Sequence, residues 1–158
     1  MAETWKVRPF TEDDARAACA WRYQPPYEVY DFPDWEAAKA LGYGICDPAV
    51  RREQFLAVTE GETLVGFFRL QDRGDHLWLG VGLHPDRCGG GNGRRLMALV
   101  LEQAALRKPG APIRLLVRPF NTRARRCYER AGFVPTGSSV IETDTGPAEM
   151  IGMEYQPK

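Results

Sequence analysis

The sequence contains no Cys-x-x-Cys pair and only two histidines, His76 and His84, so its four scattered cysteines, Cys19, Cys46, Cys88 and Cys127, lack the spacing of a zinc site or a disulfide scaffold. They read as small core residues in a reducing compartment, and no metal is expected. Charge of one sign is not in excess either. Twenty-one Lys and Arg stand against 21 Asp and Glu, which excludes capture of nucleic acid by global charge and makes any anion site a local one. No apolar run approaches the roughly 18 residues of a membrane span, and residues 1–8 lack the apolar centre of a secretory signal. A cytoplasmic protein without membrane or nucleic-acid partners is the expectation. Repeats and low-complexity tails do not occur. What is present is 44% hydrophobic residues in a chain of 158, about 70 side chains, enough for one core and short for two. A single domain over residues 1–158 follows.

Residues 5–10 alternate in polarity and then meet Thr11, with Asp14 three positions on, at the mouth of an Ala-rich stretch that runs to about residue 21. This predicts a strand followed by a capped helix. Residues 23–52 hold Pro25, Pro26, Pro33, Gly42, Gly44 and Pro48, so they form a broken region, with one short helix over 34–41. Apolar runs at 55–59, 64–70 and 77–83, separated by turns at 60–61 and 72–75, predict three antiparallel strands. Residues 92–107 place Leu96, Met97, Val100, Leu101 and Ala104 on one helical stripe, and Pro109 and Gly110 stop it. A short strand at 113–117 precedes a helix over 121–131 that brings Ala124, Cys127, Tyr128 and Ala131 to one face. Segments 133–143 and 148–155 close the chain as a hairpin. The order is that of helices and strands built around one mixed sheet.

Between the strand at 77–83 and the helix at 92–107 lie Gly89, Gly90, Gly91 and Gly93. Backbone amides there are unobstructed, and a helix N-terminus adds unpaired N–H groups and partial positive charge, which together suit a phosphate. Arg94 and Arg95 sit in the first turn, where cations are disfavoured unless an anion is bound, and Arg87 stands just ahead of the loop. No Gly-Lys-Ser/Thr follows to grip a nucleoside triphosphate and its magnesium. A dinucleotide fold is disfavoured as well, because its glycines follow the first strand of a βαβ unit and need an acid about 20 residues on. A different diphosphate ligand is required.

The run Cys88-Gly-Gly-Gly-Asn-Gly93 resembles the pyrophosphate loop, Gln/Arg-x-x-Gly-x-Gly/Ala, of the GNAT superfamily of acetyl-CoA-dependent N-acetyltransferases, with Gly91 and Gly93 on its two glycine positions. Cys88 departs from it, occupying the site of Gln or Arg, and Arg87 is the substitute contact. Asn121, Ala124, Tyr128, Gly132 and Phe133 resemble the family's other coenzyme-contacting helix. The resemblance covers roughly residues 55–134. It implies an α+β fold with a mixed, mostly antiparallel central sheet of about seven strands, about four flanking helices and a splayed pair of central strands. Gly80 and Gly82 interrupt the strand expected to splay, and glycine inside a strand often marks a bulge or a close backbone approach. The resemblance places the pantetheine arm against the backbone of Val81, Gly82 and Leu83. It assigns Arg87, Cys88, Gly89, Gly90, Gly91, Asn92, Gly93, Arg94 and Asn121 to acetyl-CoA, the co-substrate, although Asn121 also reads as the N-cap of its helix.

The implied activity is direct transfer of acetyl to a primary amine in a ternary complex. Tyr128 is the expected general acid, since the resemblance puts its hydroxyl beside the thioester sulfur; an acyl-cysteine route lacks a histidine partner for Cys88 or Cys127. The base stays open among Asp75, His76, His84, Glu28, Asp31 and a water relay. Arg123, Arg125 and Arg126 read either as a solvated helix face or as partners of the coenzyme's nucleotide phosphate. In the implied fold the segment after the first helix borders the acceptor mouth. Tyr27, Tyr30 and Phe32 would offer ring faces to a cationic amine, and Glu28 and Asp31 the opposite charge. A non-catalytic acyl-CoA sensor is the alternative, and residues 133–155 are the place where a homodimer would form. The acceptor, a small molecule or a peptide amine, is not specified by motifs that bind the donor.

Overall fold

The computed structural model describes residues 4–158; the first three, part of the segment read as lacking a secretory signal, lie outside the described residues. The chain forms two compact units, one from residues up to 69 together with 81–92, the other from 70–80 together with 93–158.

In the first unit, β1 (Trp5–Pro9) pairs antiparallel with β2 (Phe55–Glu60), from Trp5↔Glu60 to Pro9↔Leu56, and β2 pairs antiparallel with β3 (Thr63–Asp72). Helix α1 (Glu12–Ala20) starts with the capping box read from the sequence: the Asp14 amide donates to Thr11 Oγ1, and Asp14 Oδ2 accepts from the Thr11 amide. Arg8 donates to both Asp14 carboxylate oxygens, at 2.5 and 2.9 Å. Burial pushes the Asp14 carboxyl up, but the bonds from Arg8 and Thr11 outweigh it and hold it below the usual carboxylate range.

The proline-broken region resolves into 3₁₀ turns at Tyr27–Tyr30 and Gly44–Cys46, helix α2 (Trp35–Ala40) capped by Asp34, and helix α3 (Pro48–Gln54). Helix α3 is an addition to the elements expected. Its signal was local: Asp47 Oδ1 accepts from the Ala49 and Val50 amides, and Pro48 occupies the first turn, where its missing N–H costs nothing. The core gathers on Phe67, whose ring lies 5.4 Å from Phe10, 5.9 Å from Trp21 and 6.1 Å from both Phe55 and Phe32. Cys19 is buried there, which pushes its thiol up to about 11.

In the second unit, α4 (Asn92–Arg107) buries Leu96, Met97, Val100 and Ala104, the stripe read from the sequence. Strand β5 (Ile113–Val117) pairs antiparallel along its whole length with β7 (Gly146–Tyr155), which in turn pairs with β6 (Val134–Thr143). Helix α5 (Thr122–Ala131) lies between β5 and β6 in sequence. Strand β4 (Leu77–Leu83) belongs to both units, and its parallel ladder with β5 consists of Leu77↔Ile113 and Trp78↔Arg114. Neighbouring strands run β1-β2-β3-β4 in the first unit and β4-β5-β7-β6 in the second. Among the described residues the fold is thus α+β, with seven strands, mostly antiparallel, and five helices where about four were expected. Among the described residues no helix is long and apolar enough to cross a membrane, and no cluster of three His, Cys, Asp or Glu is placed to hold a metal.

Candidate functional site

The end of β4 is shaped by its glycines. A Cβ on Gly82 would run into the Phe67 ring, and one on Gly66 would stand 2.8 Å from the Gly82 carbonyl oxygen. The glycine at 82 is therefore demanded by Phe67, at the centre of the first unit's core. Val81, Gly82 and Leu83 are half-buried. The chain then makes a 3₁₀ turn at Pro85–Arg87, held by the His84 amide on the Val65 carbonyl, 2.9 Å, and the Arg87 amide on the His84 carbonyl, 2.8 Å.

Gly89, Gly90 and Gly91 follow with φ of +86°, +62° and +82°. Three consecutive left-handed residues are a conformation that L side chains resist, and beyond the adjoining residues no atom lies within 4 Å of where a Cβ would stand on any of them. Nothing in this loop is filled by protein. Its base is closed by Asn92, whose side-chain amide donates to the Arg87 carbonyl, 3.0 Å, and whose backbone amide donates to the Gly89 carbonyl, 3.1 Å. The result is a loop with Gly90 and Gly91 exposed that leads into a 16-residue helix, whose N-terminus suits an oxyanion of a phosphate. Arg94 is exposed in the first helical turn. Arg87 is held at 3.2 Å by Glu60, and the Cys88 thiol lies 3.7 Å from the His84 carbonyl.

On α5, Asn121 is buried and its Oδ1 accepts from the Ala124 amide, 3.1 Å, so it caps the helix. The helix stops at Gly132, φ +109°, where the Gly132 amide bonds to Glu129 and the Phe133 amide to Tyr128. Phe133 is buried and its ring lies 5.5 Å from Tyr155 and 6.0 Å from Tyr128. The Gly-Phe pair thus ends the helix and anchors it, which sets the half-buried Tyr128 ring. Gly93 of α4 meets the same helix: a Cβ there would stand 2.9 Å from the Cys127 sulfur. Arg125 donates to the Pro119 carbonyl, 3.1 Å, whereas Arg123 and Arg126 are exposed.

In the segment after α1, Glu28 and Tyr30 are exposed and Tyr27 is half-buried. Asp31 is not a loose charge: its Oδ1 accepts from the Tyr23 amide, 2.9 Å, and its Oδ2 lies 4.0 Å from Arg22. Phe32 is half-buried and packs against Phe67 and Tyr43 at the margin of the core. Tyr23, absent from the residues singled out in the sequence, donates its hydroxyl to the Leu83 carbonyl at 2.6 Å. Burial, with Cys88 and Asp31 adding to it, raises the affinity of that phenol for its proton. No local spacing announces a bond between residues 60 positions apart. Asp75 and His76 pair at 2.6 Å beside Arg114, ahead of β4.

Comparison with known proteins adds to this geometry. The model of the acetyltransferase (GNAT) family matches residues 9–133. A chimeric spermidine N-acetyltransferase built from Vibrio cholerae SpeG and hSSAT superposes with a TM-score of 0.77 at 20% identity, covering 98% of this chain and 96% of that one. A GNAT-family acetyltransferase from Bacillus anthracis gives 0.74 at 16% identity over 99% and 96%. The structure of AAC(6')-Ib in complex with paromomycin and acetyl-CoA gives 0.72 at 19% identity over 98% and 94%. Among curated proteins, none matches the sequence.

Proposed function

The chain belongs to the GNAT acetyltransferase family, and we propose that it moves acetyl from acetyl-CoA to a primary amine as a single cytoplasmic domain without a metal. The observation that carries this reading is the loop of three left-handed glycines at the start of α4, open where side chains would stand. Its amides suit the coenzyme pyrophosphate, with Arg94 adding charge. The half-buried backbone of Val81, Gly82 and Leu83 suits the amide-bearing pantetheine arm, with one acceptor there, the Leu83 carbonyl, already engaged by Tyr23. Solved relatives with acetyl-CoA support the choice of donor.

Bound acetyl-CoA supplies the activated acyl group. A neutral amine attacks the carbonyl carbon, the tetrahedral intermediate collapses with loss of the C–S bond, and the departing thiolate takes a proton. Tyr128 is assigned to that proton: it is half-buried and its ring is set by Phe133. The amine loses its proton to a water relay or to one of the open candidates. The acceptor is a small amine or a peptide amine. Spermidine and aminoglycoside enzymes among the structural relatives favour a polycationic small molecule, which Glu28 and the faces of Tyr27 and Tyr30 would attract.

The test pairs binding with turnover. Coenzyme A should raise the melting temperature where ATP and NAD do little, and acetyl-CoA with an amine panel should release free thiol. Binding without turnover on any amine would favour the acyl-CoA sensor; no shift with coenzyme A at millimolar concentration would reject both.

A further inference from the structure

The segment that follows α1 and the strand that leads to the glycine loop are tied together by a side chain outside the roles assigned above. Tyr23 Oη donates to the Leu83 carbonyl at 2.6 Å, and the Tyr23 amide donates to Asp31 Oδ1 at 2.9 Å. Two residues earlier, the buried Trp21 sets its ring edge against His84, with centroids 5.2 Å apart. His84 is itself fixed, through its amide to Val65 and through its carbonyl to the Arg87 amide. A continuous chain of directional contacts therefore runs from Asp31 through Tyr23 to Leu83 and on to the turn before the loop. Residues 27–30 form a short 3₁₀ turn, with Glu28, Val29 and Tyr30 exposed. Arg22 donates to the Cys19 and Trp21 carbonyls close by in sequence, and the Tyr23 hydroxyl reaches out of the segment to the strand before the loop.

We infer that Tyr23 is a positioning residue that couples the acceptor segment to the coenzyme: a ligand held by the backbone of Val81–Leu83 fixes the Leu83 carbonyl, and the Tyr23 hydroxyl carries that order to residues 22–31. This rests on the acetyltransferase reading and deepens it, because it makes acceptor binding more favourable once the donor is in place. The coupling is reciprocal by linkage: an ordered segment also favours the coenzyme.

Amide hydrogen exchange of the full chain, with and without coenzyme A, tests the idea. In the wild type coenzyme A should slow exchange both in 83–93 and in 22–31. In Tyr23→Phe the slowing in 83–93 should persist while that in 22–31 falls at least fivefold. A tether that is merely structural would speed exchange in 22–31 equally with and without coenzyme. Equal coenzyme-dependent slowing of 22–31 in wild type and variant, or none in the wild type while 83–93 is slowed, would overturn the coupling but leave the acetyltransferase reading intact. Absence of any coenzyme-dependent slowing would remove that reading and the coupling with it. Asp31→Asn, which touches the other end of the tether and leaves the phenol in place, should give the same pattern in weaker form if Tyr23→Phe fails to fold.

Discussion

Residues 88–92 and residues 22–35 lie in the same compact unit, and both are built from residues that break helices, yet they differ in where their conformation comes from. In the first, three consecutive glycines take left-handed φ and the Asn92 side chain closes the loop on a carbonyl five residues back, so local chemistry accounts for the shape. In the second, the roles of the similar aromatic rings depend on distant partners. Tyr23 reaches Leu83 and Phe32 reaches Phe67, while Tyr30 beside them stays exposed. A function carried by backbone amides is written locally; a function carried by side-chain faces waits for the fold to choose among similar rings.

The contrast can be broken most severely on the donor side. Tyr128→Phe should lower kcat about 100-fold with coenzyme A affinity nearly unchanged, measured by thiol release under conditions where chemistry limits turnover. Full turnover would remove Tyr128 from the proton transfer. Next in size, Gly82→Ala forces a methyl into the Phe67 ring and should cost about 2–3 kcal/mol in denaturant unfolding. A smaller effect is expected at Gly93→Ala, where a gain of about 1 kcal/mol in helix propensity opposes the contact with the Cys127 sulfur. Coenzyme A affinity should fall about tenfold if the start of α4 is displaced, and Gly93→Ala with Cys127→Ala should restore it, the Cys127→Ala single variant serving as the reference.

Asp14, in the helix that leads into the acceptor segment, offers a pH test. Its folded-state pKa is depressed, so its stabilising contribution is present above the unfolded value, about 4, and is lost as pH falls through the folded value. Asp14→Asn should therefore cost about 1 kcal/mol at pH 7, and the gap from wild type should narrow in acid. The smallest change belongs to the exposed acceptor acid: Glu28→Gln should raise the amine KM roughly two- to threefold at low salt and less at high salt, leaving that of acetyl-CoA unaltered. A salt-independent change would take the charge of Glu28 out of amine recognition.

Legibility along the chain follows the same physics. Helix α4, strand β5 and strand β4 stand where periodicity placed them, because an apolar stripe or run bounded by Gly and Pro leaves one way to bury it. The capping box at Thr11 and the N-cap at Asn121 were legible because donor and acceptor are three residues apart. Helix α3 went unread although Asp47-Pro48 announces it, since prolines and glycines on its N-terminal side pointed to a loop. In the candidate site the glycine loop and the Asn121 to Phe133 helix were readable as patterns. Tyr23 was not, since a lone tyrosine carries no sign of the carbonyl it will meet.

The amino-acid sequence by itself determined the element order apart from helix α3, the caps at Thr11 and Asn121, the glycine loop and the family, because each depends on chemistry within a few residues or on a motif. Only the tertiary structure decided that Gly82 makes room for Phe67, that Gly93 makes room for Cys127, that Phe32 packs against the core, and that Asp31 and Tyr23 form a tether to Leu83. Those outcomes are set by close packing and by the requirement that buried polar groups find partners. Both operate between residues that only the folded chain brings within a few ångströms of one another.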